Sequence, residues 1–107
     1  MKRKIGLMLL VLVVACSSWV GFAFAQPIKI GVFEPMTGPS AAGGEMTVEG
    51  IELALEMKGE VLGREVQIIV VDNKSDKVEA ANAVSRLIER DQVVAIIGSY
   101  GSSLSMA

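Results

Sequence analysis

Two short segments of the 107-residue chain carry the polar groups from which a binding site could be built. Residues 34–44 read EPMTGPSAAGG and residues 98–103 read GSYGSS, and each lies between an apolar run and a helix-like run. The start of a helix offers free N–H groups and a partial positive charge, which suit a carboxylate. The hydroxyls of Ser102 and Ser103 can donate to an anion or accept from an ammonium group. The pattern predicts a site for a small polar molecule.

The glycines of the first segment do not form a nucleotide-binding loop. A P-loop has the pattern G-x-x-x-x-G-K-[ST]. Gly38 and Gly43 have this spacing, but Gly44 and Glu45 stand where the pattern needs Lys and then Ser or Thr. Glu45 would place a negative charge against the polyphosphate. The dinucleotide pattern G-x-G-x-x-G is also missing from the chain, so both nucleotide patterns fail.

Each residue of the two segments also has a purely structural explanation. Ser102 or Ser103 could be the N-cap of a following helix, where Ser is common. Gly43 and Gly44 could serve a turn that needs a positive φ, and Tyr100 could be a packing residue. What favours binding is that both segments converge on one crevice.

The composition argues against catalysis and against a metal site. The chain has no His, and its single cysteine, Cys16, lies in the N-terminal apolar run. A Ser nucleophile would lack its usual base, and no G-x-S-x-G elbow is present. Zinc and copper would lack the His and Cys ligands that they prefer. We therefore expect no catalytic residue, no metal and no cofactor.

Residues 1–25 have the composition of a secretory signal peptide. Three basic residues precede an apolar run, and Ala23-Phe24-Ala25 forms an A-x-A cleavage site. Two alternatives are an uncleaved membrane anchor and a lipoprotein anchored through Cys16. Cleavage would remove three of the ten basic residues and none of the twelve acidic ones, which leaves a net charge of -5 and no basic surface for nucleic acid. We expect residues 26–107 to be periplasmic or secreted, with no stable membrane span.

The rest of the chain alternates between strand and helix patterns. Strands are indicated by apolar residues at every second position or by continuous apolar runs, and helices by apolar residues three and four positions apart. This alternation predicts the start of a doubly wound α/β domain with a parallel sheet and right-handed crossovers. The predicted elements are strands at 28–33, 64–72 and 92–98, helices at 45–58 and 78–90, and a turn at 58–63.

Apolar positions at helical spacing predict the buried face of each helix. These positions are Val48, Ile51 and Leu55 in the first helix and Val78, Ala81, Val84 and Ile88 in the second. A glycine inside a helix costs stability, so Gly50 is expected to mark close contact with the sheet. Asp76 stands three residues before Glu79, as in a capping box, which predicts Asp76 as the N-cap of the second helix.

The strand order decides where a ligand would bind. If the second and third predicted strands lie on opposite sides of the first, the order reverses between strands one and three. Ligands of open α/β sheets bind at such a reversal, outside the carboxyl ends of the strands, and the two Gly- and Ser-rich segments follow those two strands. Three strands and two helices bury little surface, so we expect the chain to be a fragment of a longer protein.

Three motifs in this order resemble a known family. IKIGVFEPMTGPSAAGGEMTVEGIELALE, VLGREVQIIVVDNKSD and AVSRLIERDQVVAIIGSYGSS are similar to the amino-terminal lobe of periplasmic solute-binding proteins of the branched-chain amino acid (Leu/Ile/Val-binding) type. The resemblance implies a type I lobe of a two-lobed receptor that closes on a ligand and delivers it to the permease and ATPase of an ABC importer. Residues 26–107 would then be the amino-terminal part of the first lobe.

The resemblance also implies roles for five residues. Ser102 matches the serine that binds the ligand carboxylate, and Gly101 and Ser103 match the adjoining backbone groups. Tyr100 matches a residue of the ligand side-chain pocket, and Gly43 lies in the contributing first loop, where some relatives carry an aromatic residue. Two alternatives are a sensor ectodomain of the same fold and an exported enzyme whose chemistry lies in missing sequence.

Overall fold

The computed structural model describes residues 25–107. The elements are β1 (Ile28–Glu34), α1 (Ala41–Met57), β2 (Glu60–Val61), β3 (Arg64–Asp72), α2 (Lys77–Glu89), β4 (Ala95–Gly98) and α3 (Ser102–Ser105). The predicted signal peptide, apart from its last residue, and Cys16 lie outside the described residues. Between residues 25 and 107, no helix combines the length and the apolar character that crossing a bilayer requires.

The sheet has the order β2-β3-β1-β4. β1 pairs in parallel with β3 on one side, from Ile28 opposite Val66 to Glu34 opposite Asp72, and with β4 on the other. The predicted order, in which the first strand separates the other two, is confirmed, and so is the α/β fold class. The predicted turn at 58–63 is only partly right, because it contains β2, which forms an antiparallel hairpin with β3.

α1 covers one face of the sheet with the predicted stripe. Val48 is buried, and Ile51 and Leu55 are half-buried opposite Ile30 of β1. The expectation for Gly50 is wrong, because a Cβ at this position would have no neighbour within 4 Å.

α2 covers the other face with a stripe that differs from the predicted one. Its buried residues are Ala80, Ala83 and Leu87, which cluster with Phe33. The prediction is wrong for Val78, Ala81 and Ile88, which are exposed, whereas Val84 packs at the edge of the cluster. The physical reason lies in the sheet: Gly31 leaves room for Leu87, whose Cδ1 would be only 2.9 Å from a Cβ at residue 31. Small alanines let the helix approach the strands closely.

The start of α2 is capped as predicted. The Asp76 carboxylate accepts hydrogen bonds from the backbone N–H groups of Val78 (2.8 Å) and Glu79 (3.0 Å). These N–H groups have no partner within the helix, so the cap satisfies two donors of the first turn. The cap fixes where α2 begins relative to the end of β3.

Candidate functional site

The segments after β1 and β4 leave the same edge of the sheet. Phe33 and Gly98 are register partners, so both strands end at the same level. Gly98 has a φ of 137°, and a Cβ there would collide with the carbonyl oxygen of Phe33. A glycine is therefore required for β4 to end so close to β1. This arrangement confirms the predicted meeting of the two Gly- and Ser-rich segments at the reversal of strand order.

The loop at residues 35–40, between β1 and α1, is held by a carboxylate from β3. Asp72 Oδ1 accepts hydrogen bonds from the N–H groups of Met36 (2.9 Å) and Thr37 (3.3 Å), and Oδ2 accepts one from the Thr37 hydroxyl (2.7 Å). Oδ1 also accepts the N–H of Lys74 at 2.7 Å. Burial by itself would raise the pKa of Asp72, but these donors outweigh it and hold the pKa below its ordinary value.

A second contact fixes the middle of this loop. The Ser75 hydroxyl donates to the Thr37 carbonyl (2.8 Å) and accepts from the N–H of Ser40 (3.2 Å). Gly38 lies against this serine with a φ of 86°, and a Cβ there would be 2.8 Å from the Ser75 oxygen. Gly38 is thus the glycine of the loop that needs a positive φ.

Gly43 and Gly44 belong to the first turn of α1, which begins four residues earlier than the predicted helix. The alternative that they serve a turn of positive φ is therefore wrong. Gly44 is buried, and a Cβ there would collide with the Pro35 carbonyl oxygen. Gly43 lies against the ring of Tyr100, where a Cβ would be 2.5 Å from Cδ1 and from Cζ. Both glycines are required by close approach rather than by backbone conformation.

The contact between Gly43 and Tyr100 joins the two segments directly. Beside it lies an open pocket of about 420 Å³, lined by Ala42, Gly43, Met46, Thr47 and Tyr100. The Tyr100 side chain is 54% exposed, so its ring has one face on α1 and another available to a ligand. Of the five candidate residues, Gly43 and Tyr100 are thus the pair that forms a contact between the two segments.

The loop between β4 and α3 is held by a carboxylate from β1. Glu34 Oε2 accepts the backbone N–H of Tyr100 at 2.7 Å, and the Glu34 side chain is only 1% exposed. Burial raises the pKa of Glu34 above its ordinary value, and the hydrogen bond from Tyr100 acts in the opposite direction. A buried carboxyl group thus lies at the base of the second segment.

Asn73 connects this loop with the turn after β3. Its side chain is fully buried, Nδ2 donates to the Ser99 hydroxyl at 2.8 Å, and Oδ1 accepts the N–H of Ser75 at 3.1 Å. Ser105 closes the loop from the other side, because its hydroxyl accepts the Ser99 N–H and donates to the Ser99 carbonyl, both at 3.0 Å. Asn73 therefore holds the side chain of Ser99, and Ser105 holds its backbone.

Ser102 and Ser103 are the first two residues of α3, and both are exposed. The N-cap of α3 is Gly101, with a φ of 98° and no side-chain cap bond. The alternative in which one of these serines is the N-cap is therefore wrong. Both residues follow the carboxyl end of β4, and neither lines the Tyr100 pocket.

Sequence reasoning missed the three residues that anchor the loops. Glu34, Asp72 and Asn73 all stand at or just after the carboxyl end of an apolar strand. Because the carboxyl ends of parallel strands meet at one edge, polar residues there are candidates for a shared network. That signal was present in the chain, since Glu34 follows IKIGVF and Asp72-Asn73 follow QIIVV.

Comparison with known proteins gives consistent results. The family model described as periplasmic binding protein matches residues 27–107. A Leu/Ile/Val-binding protein homolog from Brucella abortus is 34% identical over 83 residues, which are 75% of this chain and 21% of that protein.

Two solved structures resemble the fold. The leucine-binding protein LivK of Thermotoga maritima has a TM-score of 0.73 and 48% identity, over 74% of this chain and 23% of that one. A solute-binding protein of an ABC transporter from R. palustris, in complex with benzoate, has a TM-score of 0.70 and 29% identity, over 76% of this chain and 23% of that one. The chain thus spans less than a quarter of the length of these proteins.

Proposed function

The chain belongs to the periplasmic binding protein family, and we propose that it forms part of the first lobe of an extracytoplasmic solute-binding component of an ABC importer. The ligand we propose is a small carboxylate, either an amino acid or a similar acid. Leucine and benzoate, named for the two similar structures, share a carboxylate beside an apolar group. The supporting observation is that two anchored loops bring exposed hydroxyls and an aromatic ring to one edge of the sheet.

Each of the five candidate residues has a role in this proposal. The Ser102 hydroxyl donates to the ligand carboxylate, and backbone groups of Gly101 and Ser103 contribute beside it. The exposed face of Tyr100 contacts the apolar part of the ligand. Gly43 leaves the space in which the Tyr100 ring lies. The role is binding without turnover, so we propose that the protein is not an enzyme.

The partners and the location follow from the same proposal. The signal peptide predicted at residues 1–25 directs the protein to the periplasm or beyond, with a lipid anchor at Cys16 as the alternative. A second lobe completes the site from the other side, and an ABC permease with its ATPase receives the ligand. Permease and ATPase genes beside this gene would support uptake, whereas a kinase or methyl-accepting domain would indicate sensing.

The test is the substitution Ser102→Ala in the full-length product of this gene. A lost charge-assisted hydrogen bond is worth about 1.5–3 kcal/mol, so we expect the Kd for L-leucine or benzoate to rise by about 10- to 150-fold. The matched control is Ser85→Ala, at an exposed position of α2, with no expected change. Isothermal titration calorimetry measures both, and an unchanged Kd for Ser102→Ala would remove this serine from the site.

A further inference from the structure

The last residue of β1 is an unusual place for a carboxylate. The Glu34 side chain is 1% exposed, although Glu is almost never fully buried unless it is paired. Its partner is the backbone N–H of Tyr100, 66 positions further along the chain, at 2.7 Å. This hydrogen bond crosses from the central strand to the loop that carries the candidate ligand-binding residues.

The other contacts of the loop act on residue 99 and on the Tyr100 ring rather than on the Tyr100 N–H. The loop connects β4 to a helix of four residues, and its glycine, Gly101, has a φ of 98°. Residue 99 is fixed by Asn73 and Ser105. Within the described part of the chain, the carbonyl of residue 100 accepts a bond only from the neighbouring Ser99 hydroxyl (3.3 Å), whereas the N–H donates to Glu34 on another strand. The direction of the Tyr100 N–H, and with it the path of the backbone into Gly101, depends on this carboxylate.

We propose that Glu34 is a positioning residue of the ligand site, whose carboxylate holds the Tyr100 N–H and thereby sets where the Tyr100 ring and the first turn of α3 lie. Glu34 acts through the loop and does not contact the ligand. This inference rests on the proposed function for its effect on affinity, whereas the hydrogen bond itself can be tested without any ligand.

The proposal predicts opposite effects of pH on affinity and on stability. A charged carboxylate accepts a stronger hydrogen bond than a neutral one, so ligand affinity rises as Glu34 loses its proton. Burial raises the pKa of Glu34 above its ordinary value of 4.5. A raised carboxyl pKa contributes stability that is fully present below about pH 4.5 and is lost as the pH rises through the folded-state value. A merely structural role would not raise affinity while lowering stability.

Other titratable groups near Glu34 would not raise affinity and lower stability over the same pH range. From β3, Asp72 is the register partner, and its carboxylate is bonded to Met36 and Thr37. Its pKa is lowered rather than raised, so it titrates below the range of Glu34. From α1, the residues turned inward are the uncharged Gly44 and Val48. Tyr100 itself faces Glu34 through its backbone N–H.

The first experiment observes the hydrogen bond directly. In the full-length gene product labelled with ¹⁵N-tyrosine, the backbone amide resonance of Tyr100 is the one that is lost in Tyr100→Phe. We expect this resonance to shift as the pH rises above 4.5 and Glu34 loses its proton, and the shift to disappear in Glu34→Gln. The proposal would be overturned if the chemical shift of the Tyr100 amide did not change with pH in the wild type, or if it still changed with pH in Glu34→Gln.

The second experiment measures affinity in the full-length gene product, with L-leucine and benzoate as probes. We expect Glu34→Ala to raise the Kd by about tenfold or more. Glu34→Gln keeps a neutral acceptor oxygen, so we expect a Kd between those of the wild type and Glu34→Ala, and we expect the pH dependence of the Kd for L-leucine to disappear. The control is Glu49→Gln, at an exposed position of α1, with no change.

The outcomes separate the two proposals. If the wild type binds a probe and the Kd of Glu34→Ala stays within about twofold, the positioning role is wrong while the proposed function stands. If the wild type binds neither probe, the proposed ligand class is wrong, and the Tyr100 resonance alone decides whether Glu34 anchors the loop. If Glu34→Ala does not fold, the Kd of Glu34→Gln and the pH response of the Tyr100 resonance test the positioning role instead.

Discussion

Three glycines in one helix provide a sharp test of the structure. Gly43 and Gly44 lie in the first turn of α1 and Gly50 lies in its interior. In a helix interior the change of Gly to Ala brings a gain in helix propensity of roughly 0.5–1 kcal/mol, and this gain is smaller in the first turn. A loss of stability in any of the three variants must come from what the new Cβ meets, and the surroundings of the three positions differ strongly.

The surroundings give an expected order of stability. At Gly50 the Cβ meets nothing within 4 Å, so Gly50→Ala keeps the full gain in stability. At Gly44 it would be 2.7 Å from the Pro35 carbonyl carbon and closer still to its oxygen. Backbone atoms cannot rotate away, and overpacking costs typically about 1–3 kcal/mol, so we expect Gly44→Ala to destabilise the chain. At Gly43 the obstacle is the ring of Tyr100, which is half exposed and can move, so stability changes little.

Urea unfolding followed by circular dichroism measures this order. The slope for small proteins is about 1–3 kcal/mol/M, so a change of 1 kcal/mol shifts the midpoint by about 0.3–1 M. We expect the midpoint to rise for Gly50→Ala, to stay near the wild type for Gly43→Ala and to fall for Gly44→Ala. The ring resonances of the single tyrosine should move for Gly43→Ala alone. A Gly44→Ala midpoint at or above that of Gly50→Ala would refute the packing of α1 described above.

Two further predictions concern the residues around the end of β3. Asp76→Ala removes the N-cap of α2 and should lower the free energy of unfolding by about 1 kcal/mol; an unchanged urea midpoint would mean that the cap does not stabilise the helix. Asp72→Asn should cost about 1–3 kcal/mol at pH 7, because Nδ2 cannot accept the Thr37 hydroxyl. The lowered pKa of Asp72 means that its contribution is present above about pH 3.8 and is lost as the pH falls further. The difference between the two proteins in the free energy of unfolding should therefore be smaller at pH 3 than at pH 7; an equal difference at both pH values would contradict this.

The strand order could be predicted from the sequence because few topologies satisfy the rules of parallel sheets. Two successive right-handed crossovers that cover opposite faces must place the later strands on either side of the first. The continuous apolar run at 64–72 indicated a strand covered on both sides, and α1 and α2 do cover both faces of the sheet. β2 has two residues, too few for an apolar period to indicate it.

The buried face of α2 could not be predicted from periodicity alone. α2 carries two rows of apolar side chains that are one residue apart in sequence. The row with the larger side chains, which includes Val78 and Ile88, was expected to be buried. The structure buries the stripe of Ala80, Ala83 and Leu87 instead. The choice depends on Gly31, which leaves a space that Leu87 fills. Such complementarity between a strand and a helix distant in sequence is a property of packing, not of periodicity.

For the site, the sequence indicated which segments meet but not what holds them. Gly43 and Tyr100 are in contact, and Ser102 and Ser103 are exposed at the expected edge of the sheet. The roles of these residues in binding stay a prediction. The anchors were missed because a polar residue at the end of a strand is ordinarily exposed. Only the folded arrangement shows that Glu34 is buried under the loop that follows β4.

The two loops are anchored separately, each by a carboxylate from the end of a neighbouring strand. Asp72 of β3 holds the loop after β1, and Glu34 of β1 holds the loop after β4. Both anchors accept backbone N–H groups, and Asp72 also accepts the Thr37 hydroxyl. The two carboxylates have pKa values displaced in opposite directions. As the pH falls toward 4.5, Glu34 should therefore take up its proton and its anchor should weaken while Asp72 still holds its loop, so that affinity is lost before the fold is.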